Sequence, residues 1–279
     1  MPYSAEISRA NPTCFLFLID QSKSMLQPMA GAPGKTKAEA VSEAINHLLY
    51  TLVLRCVWGN SVLDRFHVGV IGYGVGINPA LGGNLAGKDL VPISQLARNP
   101  MRVEQRAQTN PDGSIQNARF PVWFEPVSDG KTPTCATLNR ASTLLAGFLA
   151  DHPDCHPPIL INLTDGKAND GNPEPLAGRL KQLSSTDGHV LFFNLHVSAT
   201  AGDKVEFPDD EKSLPDPFAQ LLFRMSSKLP EEMWPAAREK GLRPNANTRG
   251  LVFNGDLDSV IRSLDVGTRV DLNRGSKRP

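Results

Sequence analysis

Five stretches of this chain carry nearly unbroken apolar runs: CFLFLI at 14–19, FHVGVIGYG at 66–74, PPILINLTDG at 157–166, HVLFFNLHVS at 189–198 and RGLVFN at 249–254. A strand with one wet face alternates polar and apolar residues, whereas a strand covered on both faces does not need to. Runs of this kind therefore predict a sheet sandwiched between two layers of helices. Helical patterns fall between them. The clearest runs from Lys37 to about Arg55, with Ala38, Val41, Ala44, Ile45, Leu48, Leu49 and Leu52 on one side. Further helices are expected over Thr134–Leu149, Pro175–Ser184, Phe218–Leu229, Met233–Lys240 and Asp256–Leu264, the last with Asp256 as its cap. The fold class is α/β, a three-layer sandwich with a mostly parallel central sheet.

Residues 75–130 interrupt this rhythm. They are rich in Gly, Pro, Asn and Asp and contain short apolar pieces, Leu90–Ile93 and Phe120–Phe124, and read as a hairpin with an elaborated loop. The Trp123–Phe124 pair is assigned to the core. No internal repeat and no long Pro/Ser-rich linker divides the chain, so one domain is expected over 12–267, followed by a short basic tail over 268–279.

Hydrophobic residues make up 40 % of the 279, enough to build a full core. Twenty-nine Lys and Arg balance 29 Asp and Glu, so no net charge draws the molecule toward nucleic acid or anionic lipid. Partners must be chosen by a local site. No apolar run approaches the roughly 20 residues of a membrane span, and Glu6 and Arg9 interrupt the N-terminus where an export signal would be apolar. Cys14, Cys56, Cys135 and Cys155 are widely spread, and a chain of this size needs no disulfide staples, so a reduced, cytoplasmic protein is expected.

The chemistry gathers at strand ends. Asp20, Ser22 and Ser24 follow the first run at every second position. Asp165 follows the strand at 159–163, and Thr132 and Thr134 precede a helix in SDGKTPTCATL. In an open parallel sheet, loops beyond the carboxyl ends of the strands can meet at one rim. Carboxylates and neutral hydroxyls are hard oxygen donors that suit Mg²⁺, or Mn²⁺, which differs little in its preference for oxygen. No Cys or His joins them, which argues against zinc. Thr134 rivals Thr132, but fits a cap or first-turn position of the following helix.

Other segments have plainer readings. GAPGKT at 31–36 suggests a phosphate loop, yet the required first glycine falls on Met29, so the segment is the entry to the long helix. His152, Cys155 and His156 in DHPDCH make half a metal site at most. Asp20, Ser22 and Ser24 alone would serve a turn held by side-chain to backbone bonds.

DQSKS at 20–24 matches the DxSxS signature of the von Willebrand factor A family, and the threonine and second aspartate follow in the family's order. The resemblance spans roughly residues 12–267. It implies a Rossmann-like sandwich carrying a metal-ion-dependent adhesion site. Asp20, Ser22, Ser24, Thr132 and Asp165 would be its metal residues: Ser22, Ser24 and Thr132 as direct ligands, the two aspartates partly through water. A partner protein's Asp or Glu would complete the coordination sphere. The threonine loop reads DGKT where the family has GGT, which puts the charge of Lys131 near the ion, either pointing outward or binding a partner's carboxylate. Within the family the chain most resembles bacterial cytoplasmic proteins of the tellurium-resistance TerY kind, which implies a Ser/Thr kinase or PP2C-type phosphatase as partner in a stress or phage-response system. The expected function is metal-dependent protein binding without catalysis. The alternatives are a metal-dependent hydrolase or phosphatase, for which the two placed acids lack an evident general base, and a structural subunit whose metal site does not function.

Overall fold

A computed structural model of the protein describes residues 3–109, 115–199 and 202–268. Its centre is an eight-stranded sheet. In chain order the strands are β1 (Thr13–Asp20), β2 (Phe66–Tyr73), β3 (Ile77–Pro79), β4 (Val91–Pro92), β7 (Ile159–Thr164), β8 (Leu191–Val197), β9 (Val205–Glu206) and β10 (Leu251–Gly255), while β5 (Arg102–Thr109) and β6 (Ile115–Val122) form a separate hairpin. Across the sheet the order is β9-β10-β8-β7-β1-β2-β3, with β4 also paired to β2. The five long inner strands are parallel; β3, β4 and β9 pair antiparallel at the edges.

The apolar runs are continuous because both faces are covered. In β1, Phe15, Phe17 and Ile19 pack with Val41, Ile45 and Leu49 of α1 (Lys37–Arg55) and Val260 and Leu264 of α7 (Leu257–Thr268). Cys14, Leu16 and Leu18 point the other way, onto Leu138, Ala141 and Leu145 of α3 (Thr134–Asp151) and Leu222 and Phe223 of α5 (Pro217–Met225). Alternate side chains of a strand leave opposite faces, so one run feeds two cores.

The remaining helices are α2 (Ile93–Arg98), α4 (Glu174–Leu180) and α6 (Trp234–Glu239). Two helices end earlier than their patterns predict. The expected helix over 175–184 stops at Leu180, and residues 184–185 pair instead with 188–189. That over 218–229 stops at Met225, because the next backbone groups have partners in the sheet and in the segment leading into β10: the Ser227 amide donates to the Phe192 carbonyl and the Leu229 amide to that of Thr248. The last helix instead runs on to Thr268, and the predicted basic tail after it lies outside the described residues.

The 75–130 region contains the expected hairpin, with Arg102 opposite Val122 and Thr109 opposite Ile115. Trp123, 1 % exposed, roots it in the core: its backbone amide donates to Asn46 Oδ1 on α1 and its indole to the Leu96 carbonyl, both at 2.7 Å.

One buried polar chain crosses the α3 side of the sheet. Tyr73 donates to Asn162 Oδ1 (2.8 Å), Asn162 to Asn194 Oδ1 (3.1 Å), Asn194 to Ser226 Oγ (3.0 Å), and Ser226 to the Leu222 carbonyl (2.8 Å). Each member of that chain has a partner, as burial demands.

His196, at the end of β8, stacks on Phe253 at 4.6 Å and accepts from the Asn254 amide through Nδ1. Burial holds the neutral ring and pulls its pKa from 6.5 down to about 4. The unfolded chain therefore binds more protons between these values, so stability is fully present above about 6.5 and is lost as pH falls through about 4. The loss should approach roughly 3 kcal/mol at the acid end. Urea titrations across that range should show the slope, and His196→Phe should flatten it; an unchanged slope would assign the effect elsewhere.

Candidate functional site at the carboxyl rim of the sheet

Parallel pairing sets β1 and β7 level, with Ile19 opposite Leu163, so both strands release their chains at the same rim. Asp20, the last residue of β1, is fully buried. Its Oδ1 accepts from the Ser22 amide (2.9 Å) and its Oδ2 from the Thr164 hydroxyl at the end of β7 (2.8 Å). Burial raises the Asp20 carboxyl above its ordinary value; hydrogen bonds from Ser22 and Thr164 oppose that rise, and the nearby Asp165 adds to it.

The two serines continue the network. Ser22 Oγ and Ser24 Oγ lie 3.0 Å apart, and Ser24 Oγ donates to Asp165 Oδ1 at 2.6 Å. Asp20, Ser22, Ser24 and Asp165 thus form one connected cluster, although the first and last lie on different strand ends.

The third loop is joined through backbone. The Lys23 amide donates to the Gly130 carbonyl (3.2 Å), the Asp129 amide to the Gln21 carbonyl (2.6 Å), and the Asn169 amide to the Thr132 carbonyl (3.1 Å). Loops after β1, before α3 and after β7 are therefore mutually tied. Glycine is required at their junction. A Cβ on Gly130 (φ +95°) would come within 2.2 Å of the Val75 amide nitrogen, and one on Gly74 within 2.3 Å of the Asp129 carbonyl. Thr132 is buried, 8 % exposed, and is tied to the loop after β7 through its carbonyl, which accepts from the Asn169 amide; no hydrogen bond joins its hydroxyl to Asp20, Ser22, Ser24 or Asp165. Thr134 opens α3 without capping it. The cap comes from Asp170, whose carboxylate accepts from the amides of Cys135 (3.0 Å) and Ala136 (2.9 Å). Asp170 lies on the same loop as Asp165, so one loop both joins the cluster and seats the helix behind Thr132.

Of the two alternatives for Lys131 the outward one holds, and a different lysine enters the site. Lys131 is exposed. Lys37, the first residue of α1, donates to Asp165 Oδ2 at 2.9 Å and to Gln27 Oε1 at 3.0 Å. The pair is enclosed: the Lys37 side chain is 4 % exposed and that of Asp165 0 %. A signal for it existed. Thr36 and Glu39 form a reciprocal capping box, which fixes Lys37 in the first turn of α1. Side chains in a first turn lean back past the helix N-terminus, here toward the rim.

The donor set is all oxygen, which fits a hard divalent cation in chemistry. Among the described residues, no three His, Cys, Asp or Glu side chains gather where they could hold a metal. An ion at this rim would therefore depend on the hydroxyls together with two carboxylates, one of them already paired with an ammonium.

Among the described residues no helix is long and apolar enough to cross a membrane. No family model and no curated protein sequence matches the chain. Several solved structures resemble it. A von Willebrand factor type A protein from Catenulispora acidiphila is 18 % identical with a TM-score of 0.39, over 67 % of this chain and 33 % of its own. The manganese-loaded TRAP protein of Plasmodium vivax is 15 % identical with a TM-score of 0.36, over 68 % and 58 %. The ArnB paralog VWA2 of Sulfolobus acidocaldarius is 12 % identical with a TM-score of 0.35, over 66 % and 35 %. This chain thus spans less than two thirds of each of these chains, and likenesses so distant carry no residue roles to it. It is an α/β protein whose largely parallel central sheet is flanked by helices on both faces, similar in fold type to these von Willebrand factor A structures.

Proposed function

We propose that the chain is a protein-interaction module that presents the loops at the carboxyl rim of its sheet to a partner. One observation carries this: the loops after β1 and β7 are locked into a single hydroxyl–carboxylate cluster, with Ser24 Oγ 2.6 Å from Asp165 Oδ1, and the loop before α3 is tied to both through backbone. Fixed loops give a partner a surface that costs little ordering on binding. In the divalent-ion reading, Asp20, Ser22, Ser24, Thr132 and Asp165 would hold Mg²⁺ or Mn²⁺. When bound, the ion would supply an electrophilic position for a partner's Asp or Glu. The chain's own residues position the oxygen donors: Thr164 orients Asp20, Asp20 fixes the backbone at Ser22, and Gly74 and Gly130 let the loops close. The FLIDQSKSM start supports a cytoplasmic scaffold for a Ser/Thr kinase or PP2C-type phosphatase, of the TerY kind.

A second reading is favoured by the Lys37–Asp165 pair. Here the cluster is a metal-free cross-link between loops, its charge partly balanced from within, and the partner recognises the loop surface alone.

The test is co-purification of partners from the source cells with the wild-type chain and with Asp20→Ala, each in Mg²⁺ and in EDTA, after thermal melts show the variant folded. The Asp20→Ala chain should lose the partners the wild type retains. EDTA should remove the same partners in the divalent-ion reading and leave them in the cross-link reading. Partners that survive Asp20→Ala would remove the rim cluster from the binding face.

A further inference from the structure

The enclosed ammonium at the rim has a consequence for the ion. Asp20 and Asp165 bring two negative charges if both are ionised, and Lys37 brings one positive charge directly onto Asp165 Oδ2. The other oxygen of Asp165 accepts from Ser24, so both are engaged. A divalent cation drawing on Asp165 must share it with an ammonium or displace that ammonium. Sharing sets like charges side by side where little water intervenes to screen them. Displacement has a route: Gln27 Oε1 already accepts from Lys37 Nζ at 3.0 Å and would retain it after Asp165 is released. The lysine stem has four rotatable carbons and the ammonium three donors, so it can change acceptors without moving the helix.

We propose that Lys37 is the site's resident counter-cation, a positioning residue that competes with Mg²⁺ for Asp165 and sets the concentration at which the rim loads. This rests on the divalent-ion reading of the cluster. Without the ion, Lys37 keeps Asp165 compensated and the loops in place, so the fold needs no metal. With the charge removed, the same oxygens face an uncompensated carboxylate and bind a divalent ion more tightly.

The experiment uses the full chain, titrated with Mg²⁺ and with Mn²⁺ by calorimetry and by the shift in melting temperature. Wild type is compared with Lys37→Gln, which keeps a hydrogen-bond donor without the charge, and with Lys37→Met, which keeps the stem alone. Lys131→Gln, at the exposed lysine of the neighbouring loop, is the control. The expected result is a gain in Mg²⁺ affinity of at least tenfold for Lys37→Gln over wild type and less than twofold for Lys131→Gln. Melting of the Lys37 variants should be lowered in EDTA and restored by Mg²⁺, following the mass action of ligand on the folded state. If Lys37→Met does not fold in EDTA, Lys37→Gln decides. Equal or weaker Mg²⁺ binding by Lys37→Gln than by a wild type that itself binds would overturn the competition while leaving the divalent-ion reading standing. No binding by wild type or by either Lys37 variant would overturn that reading, and the inference with it.

Discussion

Asp165→Ala is expected to destabilise the fold by about 3–5 kcal/mol, because it strands a buried ammonium. Lys37 is 4 % exposed and would be left with Gln27 as its hydrogen-bond acceptor, while Ser24 would lose the acceptor it holds at 2.6 Å. The cost of such a pair lies mainly in the charge left behind, so removing both partners should cost less than removing one. Lys37→Met combined with Asp165→Ala should recover a large part of the loss, and a double-mutant cycle in urea measures the coupling directly. Additive losses would mean that the two groups do not depend on each other in the folded state. The same cycle separates stability from recognition: a double variant that is stable yet binds no partner keeps the rim as the binding face.

Trp123→Ala should cost a comparable amount, about 3–5 kcal/mol, the range for emptying a large buried aromatic site. The ring is among the largest fully buried side chains, and its indole nitrogen and backbone amide both have partners at 2.7 Å. Its neighbours continue the contact: Phe124 is 2 % exposed and its carbonyl accepts from Asn46 on α1 at 3.1 Å. If the hairpin were an ornament on the sandwich, this substitution would loosen β5 and β6 and leave the melting of the sheet unchanged. Coincident loss of near-ultraviolet and far-ultraviolet dichroism at a lower denaturant concentration is the outcome that fits the packing. A local opening, seen as faster amide exchange confined to the hairpin, would contradict it.

The fold was legible because its main signal is local. An apolar run with no polar alternation states that both faces of a strand are covered, and β1 obeys this residue by residue, sending Phe15 and Phe17 into one core and Leu16 and Leu18 into the other. The α1 helix was equally legible over Lys37–Arg55, since one turn of helix repeats within a few residues. Helix ends were less so. Where α5 stops depends on the Ser227 amide finding the Phe192 carbonyl, a choice made by a strand 35 residues away that no pattern within the helix records. The polar chain through Asn162 and Asn194 was hidden for a related reason: each asparagine sits singly within an apolar run, and only the pairing of β7 with β8 sets them opposite one another.

The candidate site divides in the same way. Asp20, Ser22, Ser24 and Asp165 were found from sequence because each follows the end of an apolar run, and parallel strands must release their chains at a common rim. Lys37 was not, because a lysine in a first helical turn is ordinary, and its acceptor lies 128 residues further along the chain. The sequence alone placed Asp20, Ser22, Ser24 and Asp165 at one rim, since strand direction and loop position follow from neighbours along the chain, whereas the Thr164 hydroxyl that holds Asp20 joins them only through the pairing of β1 with β7. The tertiary structure alone decided which cation meets them, since a long side chain chooses its partner by distance in space, and that distance exists only once α1 has packed against the sheet.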